Sequence, residues 1–160
     1  MPNISFIKGG DKLDDDLIIK TTDLTKSYGP HVALNKLNIS IPKGATGLLG
    51  PNGAGKSTFL KTILGLIQVT EGEGRVLGLD IRTQGDQIRS RIGYMPEYDS
   101  LNPDMEAIHQ VRYSGELLGM NPIVAQARAH ETLQYVGLGE QRYRNIGSYS
   151  TGMKQATKLA

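Results

Sequence analysis

The 160 residues are enough for one domain with a real core and too few for two of ordinary size. Their 18 basic and 16 acidic side chains leave a formal charge of +2, too weak a field to favour nucleic acid or an anionic membrane, so no nucleic-acid partner is expected. No apolar run approaches the ~20 residues that span a bilayer, the N-terminus lacks the basic-then-apolar layout of a secretory signal, and zero cysteines exclude disulfides and thiolate metal sites. The composition therefore predicts a soluble, cytosolic chain.

Residues 1–16 are polar, contain glycine and end in Asp14, Asp15 and Asp16 without periodicity, which predicts a mobile leader. Leu17 to Thr25 and Val32 to Ile41 read as strands, the second because Leu37, Ile39 and Ile41 alternate with Asn38 and Ser40. Tyr28, Gly29 and Pro30 supply the turn between them. Ala45 to Leu49 is short and largely apolar, as a buried parallel strand should be. Phe59, Leu60, Ile63, Leu64 and Ile67 then recur at helical spacing.

Between that strand and that helix stands Gly50-Pro51-Asn52-Gly53-Ala54-Gly55-Lys56-Ser57-Thr58, a full G-x-x-x-x-G-K-S/T phosphate-binding loop. Gly50, Gly53 and Gly55 let backbone N–H groups converge on an anion without obstruction by Cβ atoms, and the dipole of the following helix adds partial positive charge at the same point. Lys56 is placed to reach β and γ phosphates, and the Ser57 hydroxyl to ligate the accompanying Mg2+.

Beyond the loop helix, residues 72–81, with Arg75-Val76-Leu77-Gly78-Leu79, read as one returning strand, residues 86–91 as a short polar helix, and Ile92-Gly93-Tyr94-Met95 as a further core strand. From Pro103 the pattern turns helical. Met105, Ile108 and Val111 mark one stripe, Ala125, Ala129, Leu133 and Val136 another, and Gly119 and Gly137 sit where each helix should stop. Met153, Thr157 and Ala160 begin a last stripe, behind a Ser150 and Gly152 able to present a hydroxyl and backbone N–H groups at a helix start.

Three further segments carry a resemblance. Ser148-Tyr149-Ser150-Thr151-Gly152-Met153-Lys154-Gln155 resembles the signature sequence of ATP-binding cassette (ABC) ATPases, in a form seen in many exporter ATPases. Thr25-Lys26-Ser27-Tyr28-Gly29 is similar to the family's aromatic loop, and Tyr94-Met95-Pro96-Glu97 resembles its Q-loop. With the phosphate loop, four motifs stand in the family's order over most of residues 17–160. Two positions depart from the pattern: Glu97 where many members have glutamine, and Ala156 where arginine is common.

The resemblance implies an α/β P-loop NTPase fold with an N-terminal antiparallel β subdomain, an inserted α-helical subdomain and an incomplete core. The implied layout is a flexible leader at 1–16, an ATP-binding core at 17–100 and a helical subdomain at 101–160 that ends in the signature helix. ATP would be held by Gly50, Pro51, Asn52, Gly53, Ala54, Gly55, Lys56, Ser57 and Thr58, with Tyr28 offering its π-face to adenine. Mg2+ would be met by Ser57 and Glu97. Ser150, Thr151 and Gly152 would contact the γ-phosphate held by a second nucleotide-binding domain. The family's strand ending in Asp-Glu and its later histidine loop do not occur within these residues. The chain thus reads as an N-terminal fragment with no catalytic residue of its own, an open sheet edge and apolar surface, and it is expected to be poorly stable and inactive alone. His31, His109 and His130 all precede the signature and read as surface or helix-packing residues.

The implied function is that of the ATP-binding subunit of an ABC transporter, an exporter by its signature wording. It would work as a dimer with a second nucleotide-binding domain and lie at the inner face of the membrane through a transmembrane permease subunit. The alternatives are a non-transport ABC ATPase and a truncated nucleotide binder that does not hydrolyse.

Overall fold

A computed structural model describes Ser5, Phe6, residues 17–96 and residues 100–160. The chain divides into two compact units, Met1–Gly93 and Tyr94–Ala160. In the first, strands β2 (Leu17–Tyr28) and β3 (His31–Pro42) form a long antiparallel hairpin. Tyr28 pairs with His31 across the expected Gly29-Pro30 turn, where Gly29 takes φ 57°, the sign that mirror-image hairpin turns require.

Each strand carries a local irregularity. Asp23 lies at φ 47°, where the register of β2 shifts, so that Thr21, Leu24 and Thr25 face inward rather than strictly alternate residues. Asn38 locks the bulge: its Oδ1 accepts the Asp23 N–H at 2.9 Å, and its Nδ2 donates to Asp23 Oδ1 at 3.0 Å.

On the other side of β2 pairs β5 (Glu71–Val76), which continues into β6 (Leu79–Asp80), giving the order β3-β2-β5-β6, antiparallel throughout. The single strand expected over 72–81 is therefore a hairpin. Leu77 at φ 52° and Gly78 at φ 77° form its two-residue turn, and a leucine in the left-handed region gives no warning in the sequence. Helices α1 (Lys56–Ile63) and α2 (Gly85–Arg89) complete the unit. Its core joins Leu24, Leu34, Ile39 and Val76 of the sheet to Phe59 and Ile63 of α1, Ile81, and Ile88 of α2. In α1 the inward face takes Thr62, fully buried with its hydroxyl donating to Thr58 O at 2.7 Å, while Leu60 lies at the solvent side.

Three sequence expectations need correction. Only Leu48–Leu49 (β4) of the 45–49 segment is strand, and it pairs antiparallel with β1 (Ser5–Phe6), not parallel, leaving Leu49 exposed. Ser5–Phe6, inside the segment expected to be a leader without structure, thus form a strand; the rest of 1–16 lies outside the described residues. Residues 92–95 form no strand, and Tyr94 and Met95 are exposed. An apolar run becomes a strand only where a neighbour completes its hydrogen bonds, and no described strand lies beside it.

The second unit is helical. It comprises α3 (Ala107–Leu117), α4 (Pro122–Tyr135), 3₁₀ turns at Gly139–Tyr143 and Ile146–Ser148, and α5 (Thr151–Leu159). Asn121 caps α4, accepting the Ile123 N–H at 3.0 Å, and Pro122 opens its first turn. Both predicted glycine stops occur. Gly119 (φ 89°) donates to Glu116 O and Met120 to Gly115 O, while Gly137 (φ 80°) donates to Gln134 O and Leu138 to Leu133 O. These are paired Schellman bonds, which satisfy carbonyls that a helix end leaves open. Gly115 and Ala125 let α3 and α4 approach closely, since a Cβ on Gly115 would stand 3.3 Å from that of Ala125. The core assembles Ala107, Ile108, Ala129, Leu133, Leu138, Ile146 and Tyr149.

Leu77 carries the cost of a left-handed conformation, about 1 kcal/mol for a side chain with a Cβ. Leu77→Asn, which tolerates that region, should raise stability by roughly that amount; a urea-unfolding midpoint that falls would show that the leucine's packing outweighs its strain.

Candidate functional site

The phosphate loop leaves β4 at Gly50 and enters α1 at Lys56. Gly55 is the N-cap, at φ 90°, and Gly53 lies at φ 81°, so both occupy the region a side chain rarely adopts. Gly55 is required on a second ground: a Cβ there would stand 2.5 Å from Ala33 O of β3 and 3.0 Å from Leu34 Cδ2. Ala54, buried, donates its N–H to Pro51 O at 3.2 Å, and Phe59 N–H reaches Gly55 O at 2.8 Å as the helix begins.

No side chain caps α1. The first N–H groups of a helix have no intrahelical acceptor and carry its positive dipole end, so an uncapped glycine start offers donors to an anion. Lys56 Nζ lies over the loop, donating to Gly50 O at 2.6 Å and Pro51 O at 2.8 Å. Its charge is held above the loop backbone by two neutral acceptors and has no carboxylate partner among the described residues. Ser57 is exposed on the first turn, and Pro51, Asn52 and Gly53 are exposed in the loop. These features fit a polyphosphate: convergent N–H donors, one cation and a hydroxyl able to meet an accompanying divalent ion.

Tyr28 sits at the β2–β3 hairpin, 48% exposed, with Lys26 Nζ 4.9 Å from its ring centroid. The hairpin is pinned by Ser27 N–H to Thr70 Oγ1 at 3.0 Å and Thr70 N–H to Thr25 O at 3.0 Å. Its return strand carries Ala33 past Gly55, five positions after Tyr28, so aromatic ring and phosphate loop share one end of the unit. Lys26 and Tyr28 stand two positions apart on β2, the spacing that puts two side chains on one face of a strand.

In the second unit, Ser150 is the N-cap of α5, its Oγ accepting the Met153 N–H at 3.3 Å. A hydroxyl that accepts in this way keeps its proton to donate outward. Thr151 and Gly152 are exposed, and a Cβ on Gly152 would meet only Ser150 Oγ, at 4.0 Å. Fold packing therefore does not require a glycine there. Behind them Tyr149 is buried, and desolvation holds its hydroxyl above the usual range against an opposing influence from Arg144.

Glu97 lies outside the described residues. Among the described residues no three His, Asp or Glu side chains gather as a metal site. His31 and His109 are exposed, and His130 is half-buried on α4 with Nε2 3.0 Å from Gln126 Nε2. No helix of the described residues is long and apolar enough to cross a membrane.

Comparison with known proteins agrees with this geometry. The ABC transporter family model matches residues 34–160. The chain is 33% identical over 144 residues to the Nod factor export ATP-binding protein I of Cupriavidus pinatubonensis, covering 89% of this chain and 44% of that protein. It is 35% identical over 144 residues to the bacitracin transport ATP-binding protein BcrA of Bacillus licheniformis, covering 89% and 46%. The chain thus spans less than half the length of these relatives. Among solved structures, a dimeric post-hydrolysis state of an ATP-binding cassette bound to ADP and Pi matches with TM-score 0.68 and 25% identity, over 88% of this chain and 67% of that one. The chain therefore belongs to the ABC transporter family and has the P-loop ATPase fold.

Proposed function

We propose that the chain is the ATP-binding part of an ABC transporter subunit that works as an exporter. The observation that carries this reading is the uncapped, glycine-started α1 with Lys56 folded over its loop. Residues 17–100 form the nucleotide-binding core, 101–160 the helical subdomain, and 1–16 a leader.

Each residue has a role set by its chemistry. The N–H groups of Gly53 and of Gly55 to Thr58 cradle the β-phosphate, and Lys56 exchanges its two neutral loop carbonyls for anionic phosphate oxygens, which adds ion-pair attraction to the hydrogen bonds. Gly50, Pro51, Asn52 and Ala54 shape the loop around that nest. Tyr28 stacks on adenine, which separates adenine from a bare polyphosphate. Ser57, with Glu97, would hold Mg2+, which would supply positive charge to offset that of the phosphates.

Ser150, Thr151 and Gly152 meet the γ-phosphate bound to a second nucleotide-binding domain, so ATP closes a dimer and its hydrolysis by the complete protein reopens it. A transmembrane permease subunit, which holds the protein at the inner face of the membrane, takes up that motion. Support for the transport role comes from relatives named for Nod factor export and bacitracin transport, and for dimer closure from a neighbour solved as a dimer with ADP and Pi.

Lys56→Ala should weaken ATP binding by about 1.5–3 kcal/mol, the range for hydrogen bonds to charged groups; unchanged affinity by calorimetry would remove the loop from the nucleotide site. Gly152→Ala provides a separate test. Alanine improves an early helix position by roughly 0.5–1 kcal/mol, and there is room for its Cβ. Stability should therefore rise while ATP-driven dimerisation weakens; a variant that is stabler and dimerises normally would show that nothing approaches this face closely.

A further inference from the structure

The approach to Ser150 is tied down more firmly than a loop needs to be. Ile146 N–H donates to Met105 O at 2.9 Å, Gly147 N–H to Pro103 O at 2.8 Å and Tyr149 N–H to Ile146 O at 3.0 Å. Ile146 and Tyr149, three positions apart, both enter the helical core, at 1% and 6% exposure. Burial of the ring alone would fix Tyr149 only loosely, since an apolar contact has no direction and the ring can slide along its neighbours.

The hydroxyl adds the direction. It donates to Gln141 O at 2.6 Å, across to the Gly139–Tyr143 turn. The same carbonyl accepts the Arg144 N–H at 2.9 Å, and Arg144 Nη1 reaches Gln141 Oε1 at 2.7 Å, so the acceptor is itself held. Between this bond and the cap of α5 lie only the extended backbones of Tyr149 (φ −80°, ψ 145°) and Ser150 (φ −66°, ψ 162°). Whatever fixes the Tyr149 side chain therefore fixes where the Ser150 hydroxyl stands. A phenol is protonated across the neutral range and can donate, and desolvation shifts its titration further upward.

We propose that Tyr149 is a positioning residue for the signature face: its hydroxyl, bonded to the Gln141 carbonyl, holds Ser150 and Gly152 where they can close on the nucleotide of a second domain. The inference rests on the reading of Ser150 as a contact made across the dimer. A displacement of about 1 Å in a positioned group can cost on the order of 100-fold in rate, so loss of one hydroxyl here should be felt well beyond its share of stability.

The test uses the full-length protein with Tyr149→Phe, Ser150→Ala and Lys56→Ala, measuring ATP affinity of the separate subunit, ATP-driven dimerisation by sedimentation, and phosphate release. Tyr149→Phe should leave the subunit's ATP affinity within twofold of wild type and weaken dimerisation about 10-fold or more, following Ser150→Ala. Each of these two, mixed with Lys56→Ala, whose signature is intact, should regain the same fraction of dimer, because the intact loop and the intact signature then meet in one composite site. A Tyr149→Phe protein that dimerises normally while Ser150→Ala does not would overturn the inference. So would one that fails to dimerise yet is not restored by mixing when Ser150→Ala is restored, since that pattern belongs to general loss of structure. Normal dimerisation by Ser150→Ala would instead overturn the reading on which the inference rests.

Discussion

Helix α1 starts on a glycine whose backbone lies in the left-handed region and whose missing Cβ leaves room for the Ala33 carbonyl of β3. That close approach is the constraint on which the nucleotide end of the molecule depends. It seats the helix start directly on the sheet, aims the first N–H groups into the loop, and places the Lys56 stem where its ammonium can lie over Gly50 and Pro51. A side chain at 55 would have to move the helix or the strand, and the nest would open in either case. The core behind it, with Phe59 and Ile63 packed among Leu24, Leu34 and Val76, holds the helix against that strand.

The two helix starts that matter for function are built in opposite ways. Helix α1 has a glycine N-cap and no side-chain acceptor, which leaves its positive end open to an external anion. Helix α5 is capped by Ser150, so one donor is satisfied internally and the hydroxyl itself becomes the outward group. The first arrangement suits tight capture of a polyphosphate. The second suits a contact made only when a phosphate held elsewhere arrives, and it depends on the cap standing in the right place, which is where Tyr149 enters.

Much of this was legible in the sequence because it rests on local physics. The phosphate loop, the Gly29-Pro30 turn, the glycine stops at 119 and 137 and the Ala125-Ala129-Leu133 stripe each follow from conformational freedom or helical period. The departures at 45–49 and 92–95 have one cause. Apolar content alone predicts strands at 92–95 and 45–49, but strand pairing is decided by whatever lies alongside, and β4 finds an antiparallel partner in Ser5–Phe6. The Leu77-Gly78 turn was hidden because leucine is an unexpected occupant of a left-handed position. Within the candidate site, the exposed residues follow from motif spacing, whereas the Tyr149–Gln141 bond joins residues whose meeting depends on tertiary geometry.

The account turns on whether the loop before α1 receives the phosphates of a nucleotide. Amide hydrogen exchange, followed residue by residue with and without MgATP, tests this where it is claimed. The account predicts that exchange at Gly53 and at Gly55 to Thr58 slows markedly once ATP is bound, because those N–H groups then have acceptors. Unchanged exchange at these amides at an ATP concentration that saturates the protein, with protection appearing elsewhere, would contradict it.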